Sequence, residues 1–170
     1  MEAAIKYAEE EKMKRLDLIL SHPLFTEGIY KNKELEQDRK FCRHDMEHFL
    51  SVARLAYIFN LERKYNLPKD VIYAAALLHD IGRWKQYSCG IPHEVASRDM
   101  AEIILKDSRF RDEEIELICQ AISEHRITDH SKQLSMILYD ADKISRNCYS
   151  CAVQEECNWN DEKKNLHITW

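Results

Sequence analysis

The sequence predicts an all-α protein, and three observations lead to that fold class. The 170 residues include only three glycines and three prolines, too few for the many tight turns of a β-sandwich or β-barrel. Apolar residues make up 45% of the chain and charged residues 32%, a mixture typical of amphipathic helices. Apolar positions recur at intervals of three and four residues, as one buried helix face requires. The length suits a single domain.

The same composition excludes several classes of function. Gly28, Gly82 and Gly90 lie too far apart to form a P-loop or a dinucleotide-binding loop. The net charge of −5 shows no basic excess, so nucleic acid is not an expected partner. No apolar run is long enough to predict a membrane span, and the charged N-terminus does not resemble a signal peptide. We therefore expect a cytoplasmic protein without a membrane partner, and a homodimer is left open.

Two helices are predicted before the main apolar segments. The first covers residues 1–20 and ends before Pro23, because the residue preceding a proline avoids helical angles. The second is charged and covers residues 24–40. Together, residues 1–43 are predicted to form an N-terminal helical arm that packs outside the core.

The central segment carries the strongest helical pattern. Residues 45–65 place apolar side chains on one helix face, and this helix is predicted to end before Pro68. Asp70 is predicted to cap a short, very apolar helix, VIYAAALLHD, that is buried on all sides until it reaches His79 and Asp80. The apolar positions of the first of these helices are Phe49, Val52, Ala53, Ala56, Tyr57 and Leu61.

A loop, three helices and a tail are predicted for the rest of the chain. The loop reads IGRWKQYSCGIP and contains two glycines and a proline. Helices follow over residues 93–106 and 112–125, and Ser131 is predicted to cap a third that runs through LSMILYDADKISR. We therefore predict one compact unit, with a core domain at residues 44–147 and a cysteine-bearing C-terminal appendage at residues 148–170.

Histidines and carboxylates at three points of this pattern indicate a metal site. His48 lies on the apolar face of its helix, which directs its side chain inward. His79 and Asp80 stand together where the buried helix ends. Asp142 lies beside the apolar positions of the last helix, where a carboxylate is costly to bury unless a positive charge offsets its desolvation. Imidazole and carboxylate are the usual ligands of borderline divalent metals, so these four residues are candidate metal ligands.

This arrangement resembles the HD superfamily of metal-dependent phosphohydrolases. In that family a histidine precedes an apolar helix, a His-Asp pair follows, and a distant aspartate in an Ala-Asp step completes the site. His48, His79, Asp80 and Asp142 match this order, and the segments ALLHDIGR and DADKI are very like those of the family. The resemblance covers roughly residues 44–146 and implies a helical bundle around the metal.

The resemblance also implies a second metal position. Some HD proteins carry two more histidines between the His-Asp pair and the final aspartate, and His93 and His125 occupy those positions. Asp80 would then bridge two ions, as in a pattern similar to the HD enzymes that split diadenosine tetraphosphate and to HD-type di-iron oxygenases. The expected cofactor is one or two ions of manganese, iron, cobalt, nickel, magnesium or zinc. Asp140, two residues before Asp142, is a candidate for orienting a ligand histidine without itself binding the metal.

The chemistry implied by the resemblance is hydrolysis of a phosphate ester or anhydride of a small metabolite, with a nucleotide as the expected substrate. Bound metals would lower the pKa of a water, and the resulting hydroxide would attack phosphorus beside Asp80. Arg83 and Lys143 are candidate phosphate-binding cations next to the metal ligands, and Arg146 is a further one. His44 is open to two interpretations, a substrate contact or an ordinary helix-start residue.

The six cysteines are expected to be thiols or metal ligands rather than disulfides. Cys148, Cys151 and Cys157 lie close together in the tail, and a C-x-x-C pair is a common half of a zinc or iron–sulfur site. Cys42 or His167 would supply the fourth ligand. Three free thiols are the equal alternative.

Two further functions stay open on the sequence alone. A di-iron oxygenase would use the same scaffold with all six ligands and a redox-active metal. A non-catalytic metal or nucleotide sensor would keep the ligands without turnover.

Overall fold

The computed structural model of the protein is all-α, as the sequence predicts. It describes residues 2–130 and 132–170, with side chains from Glu11 onward, and no strand occurs in these ranges. Ser131, predicted to cap the last helix, lies outside the described residues. The helices are α1 (Glu2–Ser21), α2 (Pro23–Leu35), α3 (Met46–Glu62), α4 (Lys69–Leu78), α5 (Arg83–Cys89), α6 (His93–Asp107), α7 (Asp112–Glu124) and α8 (Gln133–Ile144), followed by short 3-10 helices at Cys148–Ser150 and Gln154–Glu156.

None of the helices in the described part of the chain is both long and apolar enough to cross a membrane.

Helix α4 lies at the centre of the core. It packs against α1, α3, α6, α7 and α8, and for that reason its sequence is apolar on nearly every side. Val71, Ile72 and the run from Ala74 to Leu78 are all buried. Because α4 ends at Leu78, His79 and Asp80 emerge from the middle of the bundle rather than at its surface.

The segment predicted to be a loop contains a helix. Helix α5 begins after Gly82 and ends at Gly90, whose φ of 70° is the left-handed conformation that commonly ends a helix. None of its residues is buried, so its sequence carries no apolar period that would have indicated a helix.

Three predictions in the earlier segments were wrong. Helix α2 ends at Leu35 rather than at residue 40. Asp70 does not cap α4, because Pro68 holds the N-cap position and the buried Asp70 carboxylate pairs with Arg15 of α1. Leu61, predicted to be on the buried face of α3, is 58% exposed, because the helix turns this residue away from α4 and α8.

The arm comes close to the His-Asp pair. At Gly28 of α2, a Cβ atom would lie 2.7 Å from the carbonyl oxygen of Ile81, so only glycine permits this approach. The buried Asn32 donates to the carbonyl oxygen of Asp80 (3.0 Å) and accepts from the backbone N–H of Trp84 (2.8 Å). Helix α2 thus fixes the chain on both sides of Gly82.

The tail folds back over the end of α8. The side-chain amide of Asn165 donates to the backbone carbonyls of Lys143, Ile144 and Arg146 at 2.8, 3.2 and 2.9 Å, groups that a helix end leaves without partners. A second anchor is Trp170, whose ring packs on an aromatic side chain of α3.

Candidate metal centre

Four predicted ligands meet at one end of the bundle. His48 lies in the first turn of α3, His79 and Asp80 follow α4, and Asp142 lies in α8. Because α3 and α8 both pack on α4, the four side chains converge. One ligand atom from each lies within 4.8 Å of the others, and all four residues are buried.

A second group contains the remaining two predicted ligands. Asp80, His93 at the start of α6 and His125 at the end of α7 also bring their ligand atoms within 4.8 Å of one another. The two carboxylate oxygens of Asp80 face different ways: Oδ2 lies 3.4 Å from Nε2 of His79, and Oδ1 lies 3.1 Å from Nε2 of His93. The structure therefore gathers all six residues into two groups that share Asp80.

The hydrogen bonds of the four histidines leave Nε2 facing the interior of the cluster. In each ring, Nδ1 has a partner outside the cluster, which assigns the ring hydrogen to Nδ1. These partners are the carbonyl of Ala76 for His79 (2.7 Å), the carbonyl of Ile122 for His125 (2.6 Å), Gln86 Oε1 for His93 (2.6 Å) and Ser145 Oγ for His48 (3.2 Å).

The inward-facing atoms fit a divalent cation. Nε2 of His79 and Oδ1 of Asp80 are buried without a hydrogen-bond partner in the described structure. Nε2 of His93 and Nε2 of His125 lie 3.3 Å apart, and with both hydrogens on Nδ1 neither can donate to the other, although Nη1 of Arg83 lies 3.3 Å from Nε2 of His93. Leaving buried acceptors unsatisfied costs about 1–3 kcal/mol each. A nitrogen and oxygen donor set of this kind suits zinc, iron, manganese, cobalt or nickel.

The electrostatics keep three of the four histidines, and both carboxylates, in their metal-binding forms. Burial lowers the pKa of His48 and of His93 to about 4, and it also lowers the pKa of His125, so these imidazoles are neutral at pH 7. The pKa of His79 is raised instead, because the Asp80 and Asp142 carboxylates outweigh its burial. Burial alone would raise the pKa values of Asp80 and Asp142. The same attraction, with that of Lys143 and Arg146 for Asp142, outweighs burial of the two carboxyl groups and holds both of their pKa values well below the usual range.

The three cations that the sequence predicts to bind phosphate lie beside the two groups. Lys143 Nζ lies 2.6 Å from Oδ2 of Asp142, and the buried Arg146 donates to Oδ1 of Asp142 (3.2 Å) and to Nε2 of His48 (3.3 Å). Arg83, the first residue of α5, places Nη1 3.8 Å from Oδ1 of Asp80. All three cations also line the cavity described below, so their positive charge lies where that cavity meets both ligand groups.

One residue of the site carries no signal in the sequence. Glu36, 2% exposed at the end of α2, accepts the Nδ1–H of His44 (2.6 Å) and the hydroxyl of Tyr87 (2.6 Å) on Oε1, and the backbone N–H of His44 (2.7 Å) on Oε2. Burial would raise the pKa of Glu36, but the bonds from His44 and Tyr87 outweigh it and lower the pKa to about 2. Glu36 lies in a run of charged residues, KNKELEQDRK, where nothing distinguishes it from its exposed neighbours.

His44 is a buried part of the site rather than an ordinary helix-start residue. Its Nε2 lies 3.7 Å from Oδ2 of Asp80 and 3.4 Å from Nη2 of Arg146. Asp140, in contrast, does not orient a histidine. It pairs with Arg63 at 2.6 Å, because residues two apart on a helix face different directions.

The structure does not bring the cysteines of the predicted second site together. Within residues 11–130 and 132–170, neither group of metal-ligand atoms includes a cysteine. Cys42, Cys148 and Cys157 line the same cavity, whereas Cys151 does not. The described structure therefore does not assemble the predicted site at Cys42, Cys148, Cys151 and Cys157 as a group of ligand atoms. The alternative ligand His167 is exposed.

Comparison with known proteins assigns the family. The sequence model of the HD domain matches residues 45–147, more than half of the chain, and the chain therefore belongs to the HD domain family. A protein of Clostridium beijerinckii (strain ATCC 51743 / NCIMB 8052), described as "Uncharacterized protein", is 46% identical over 156 residues, which cover 92% of this chain and 99% of the relative. No solved structure shows a significant match.

Proposed function

We propose that this HD domain protein is a metal-dependent phosphohydrolase that acts on a small phosphorylated metabolite of the nucleotide class. The observation that carries the proposal is the position of the two ligand groups, which share Asp80 and open into one cavity of about 670 Å³. Ligand-binding cavities of proteins span roughly 300–1,000 Å³. Among the described residues, the basic side chains that line it are Arg39, Arg83, Arg126, Lys143, Arg146 and Lys163, against the acidic Asp80, Asp142 and Glu162.

This charge distribution suits a phosphorylated substrate. When bound, the divalent cations supply charge neutralisation at the phosphoryl group and a water of lowered pKa. The residues themselves position the substrate. Arg83 and Lys143 lie beside the ligands from α5 and α8, where their charge stabilises the phosphoryl oxygens. Glu36 orients Arg83, whose Nε lies 3.5 Å from Oε1 of Glu36.

The proposal is tested by comparing phosphate release by the wild-type protein with that of variants that lack site residues. Purified protein is assayed on nucleotides and sugar phosphates with manganese, cobalt or nickel, beside His79→Ala and Asp80→Ala. His167→Ala, at an exposed histidine outside both groups, is the control. We expect both site variants to lose more than the roughly 10–100-fold that outer-sphere partners of a metal contribute. Phosphate release that survives both substitutions would contradict the proposal.

A di-iron oxygenase is the second candidate function, because two ligand groups sharing one carboxylate suit a pair of ions. Metal analysis and oxygen uptake distinguish it from the hydrolase. Two irons per chain together with oxygen consumption, without phosphate release, would favour the oxygenase. Metal and nucleotide binding without either activity would indicate a sensor.

A further inference from the structure

The tail supplies an aromatic wall to the cavity at the metal centre. Cys157, Asn158 and Trp159 line it, followed along the chain by Glu162 and Lys163. The amide of Asn165 fixes this stretch to the end of α8, and an ion pair between Lys40 and Glu156 fixes it to the arm. The tail residues that line the cavity all lie C-terminal to the segment that matches the HD domain.

Trp159 differs from the other two tryptophans of the chain. Trp84 lies under the ammonium group of Lys31 (3.8 Å), and Trp170 packs on Phe59 with ring centroids 5.0 Å apart. Within the described residues, the half-buried Trp159 makes no ring contact, cation–π contact or hydrogen bond, although its side chain lines the cavity. A large aromatic surface is therefore available there to a ligand.

Phe41 offers a second unpaired ring in the same cavity. Of the three aromatic side chains that line it, Tyr139 is already in contact with His130 (4.9 Å between ring centroids) and Lys143. In the described part of the chain, Phe41 has no ring contact. The cavity thus combines an anion-binding floor at the ligand groups with free aromatic faces contributed by the segments on either side of the HD domain.

We propose that Trp159, with Phe41, stacks on the planar base of a nucleoside phosphate whose phosphates lie against Arg83 and Lys143. The phosphate part of this placement rests on the function proposed above, whereas the stacking part rests on the unpaired rings. Every nucleobase has a π-face, so stacking provides affinity for nucleotides with little preference among bases. The tail would then allow the protein to bind a nucleotide in preference to a phosphate compound that lacks a base.

Binding of two analogues that resist hydrolysis tests the stacking separately from catalysis. One is α,β-methylene-ADP, and the other is methylenediphosphonate, which carries the same phosphonate pair without a nucleoside. In the protein with its metal, we expect the nucleotide analogue to bind about 10- to 100-fold more tightly, the range of base–aromatic stacking. In a Trp84→Phe/Trp170→Phe background, only the nucleotide analogue should quench the fluorescence of Trp159.

Substitutions of Trp159 complete the test. Trp159→Ala should reduce the difference between the two analogues, Trp159→Ala/Phe41→Ala should remove it, and both should leave the affinity for methylenediphosphonate unchanged. Trp159→Phe should restore part of the difference, and the control Trp84→Phe should behave as wild type. Equal binding of both analogues to wild type, a difference that is undiminished in Trp159→Ala, or an equal loss for both analogues would overturn the stacking proposal. Base-dependent binding without any phosphate release would instead overturn the proposed hydrolase and leave the stacking site in place.

Discussion

The hydrogen-bond partner of Nδ1 differs among the ligand histidines, and it decides whether a side-chain substitution can free the ring. His79 and His125 each donate Nδ1–H to the carbonyl three residues earlier in the chain, so helix geometry fixes both rings and no side-chain substitution releases them. His93 depends instead on a side chain, Gln86 of α5. An outer partner of this kind sets the tautomer and the orientation of a ligand.

We predict that Gln86→Leu weakens metal binding at one group only. Loss of the 2.6 Å bond frees the ring of His93, and outer-sphere changes typically cost 10–100-fold in metal affinity. Titration of the metal-free protein, followed by calorimetry, should show the affinity of one of two binding steps reduced, with the other unchanged. Ser88→Ala on the same helix is the control, because among the described residues the hydroxyl of Ser88 bonds only to a backbone carbonyl and the neighbouring thiol. Equal weakening of both steps would be incompatible with two separate groups.

A second prediction at this scale concerns Glu36. Glu36→Gln replaces a buried carboxylate that holds His44, Tyr87 and Arg83, and we expect kcat/KM for phosphate release to fall roughly 10–100-fold. Metal content should stay that of wild type, because Glu36 belongs to neither ligand group. Glu34→Gln, at an exposed position on α2, is the matched control. A loss of metal in proportion to activity would refute a positioning role.

At the scale of elements, the arm helix α2 is part of the site. Its Gly28 contacts the backbone beside the His-Asp pair, Asn32 holds that backbone, and Glu36 holds the cavity side chains. These three positions lie four residues apart, so they share one face of α2. The arm therefore aligns α5 with the ligands, although it lies outside the segment that matches the HD domain.

We predict that Gly28→Ala damages both stability and activity. The added Cβ would lie 2.7 Å from the carbonyl oxygen of Ile81, which forces α2 away from α5 and costs about 1–3 kcal/mol. Urea unfolding measures the loss of stability, and phosphate release measures the displacement of the site. At Gly90 a Cβ meets nothing, and the positive φ alone costs about 1 kcal/mol. Gly90→Ala should therefore lose stability without losing activity at saturating metal, and identical behaviour of the two variants would contradict this account.

For the whole molecule, the sequence reveals site residues where a polar or charged side chain interrupts an apolar pattern. His48, His79, Asp80 and Asp142 stand out because each interrupts an apolar pattern, and their order matches the HD family. Glu36 could not be recognised because an inward-facing glutamate at the end of a charged helix looks like a solvated one. Its partners lie up to 51 residues away in the chain. Helix α5 was missed because a helix without a buried face has no apolar period.

The path of the tail cannot be predicted from local sequence patterns either. Its contacts are made by single residues, Asn165 at the end of α8 and Trp170 on α3, rather than by a repeating apolar face. Such contacts depend on where the other helices end, which local patterns do not encode. The placement of Trp159 in the cavity follows from the same contacts.

A buried ion-pair cluster links three helices at the end of α4 that lies away from the metal ligands, and it gives the last prediction. Arg15 of α1 donates to Asp70 of α4 and to Oε2 of Glu114 on α7 (2.7 Å), and Glu114 also accepts the backbone N–H of Arg111 (2.9 Å). Burial would raise the pKa of Glu114, but the bonds from Arg15 and Arg111 outweigh it and lower the pKa to about 2.

We predict that this cluster makes stability depend on pH in the acid range. Because the folded pKa of Glu114 lies below its ordinary value of 4.5, the ionised form stabilises the fold above about pH 4.5, and this contribution is lost as the pH falls towards 2. Glu114→Gln should lower the free energy of unfolding by about 1 kcal/mol at pH 7, a value reduced by solvent screening at the edge of the cluster. The difference from wild type should shrink to nothing near pH 2. Urea unfolding at pH 7, 4 and 2.5 measures it, with the exposed Glu116→Gln on the same helix as control. A difference between Glu114→Gln and wild type that stays constant over this range would show that the lost stability does not come from the charge.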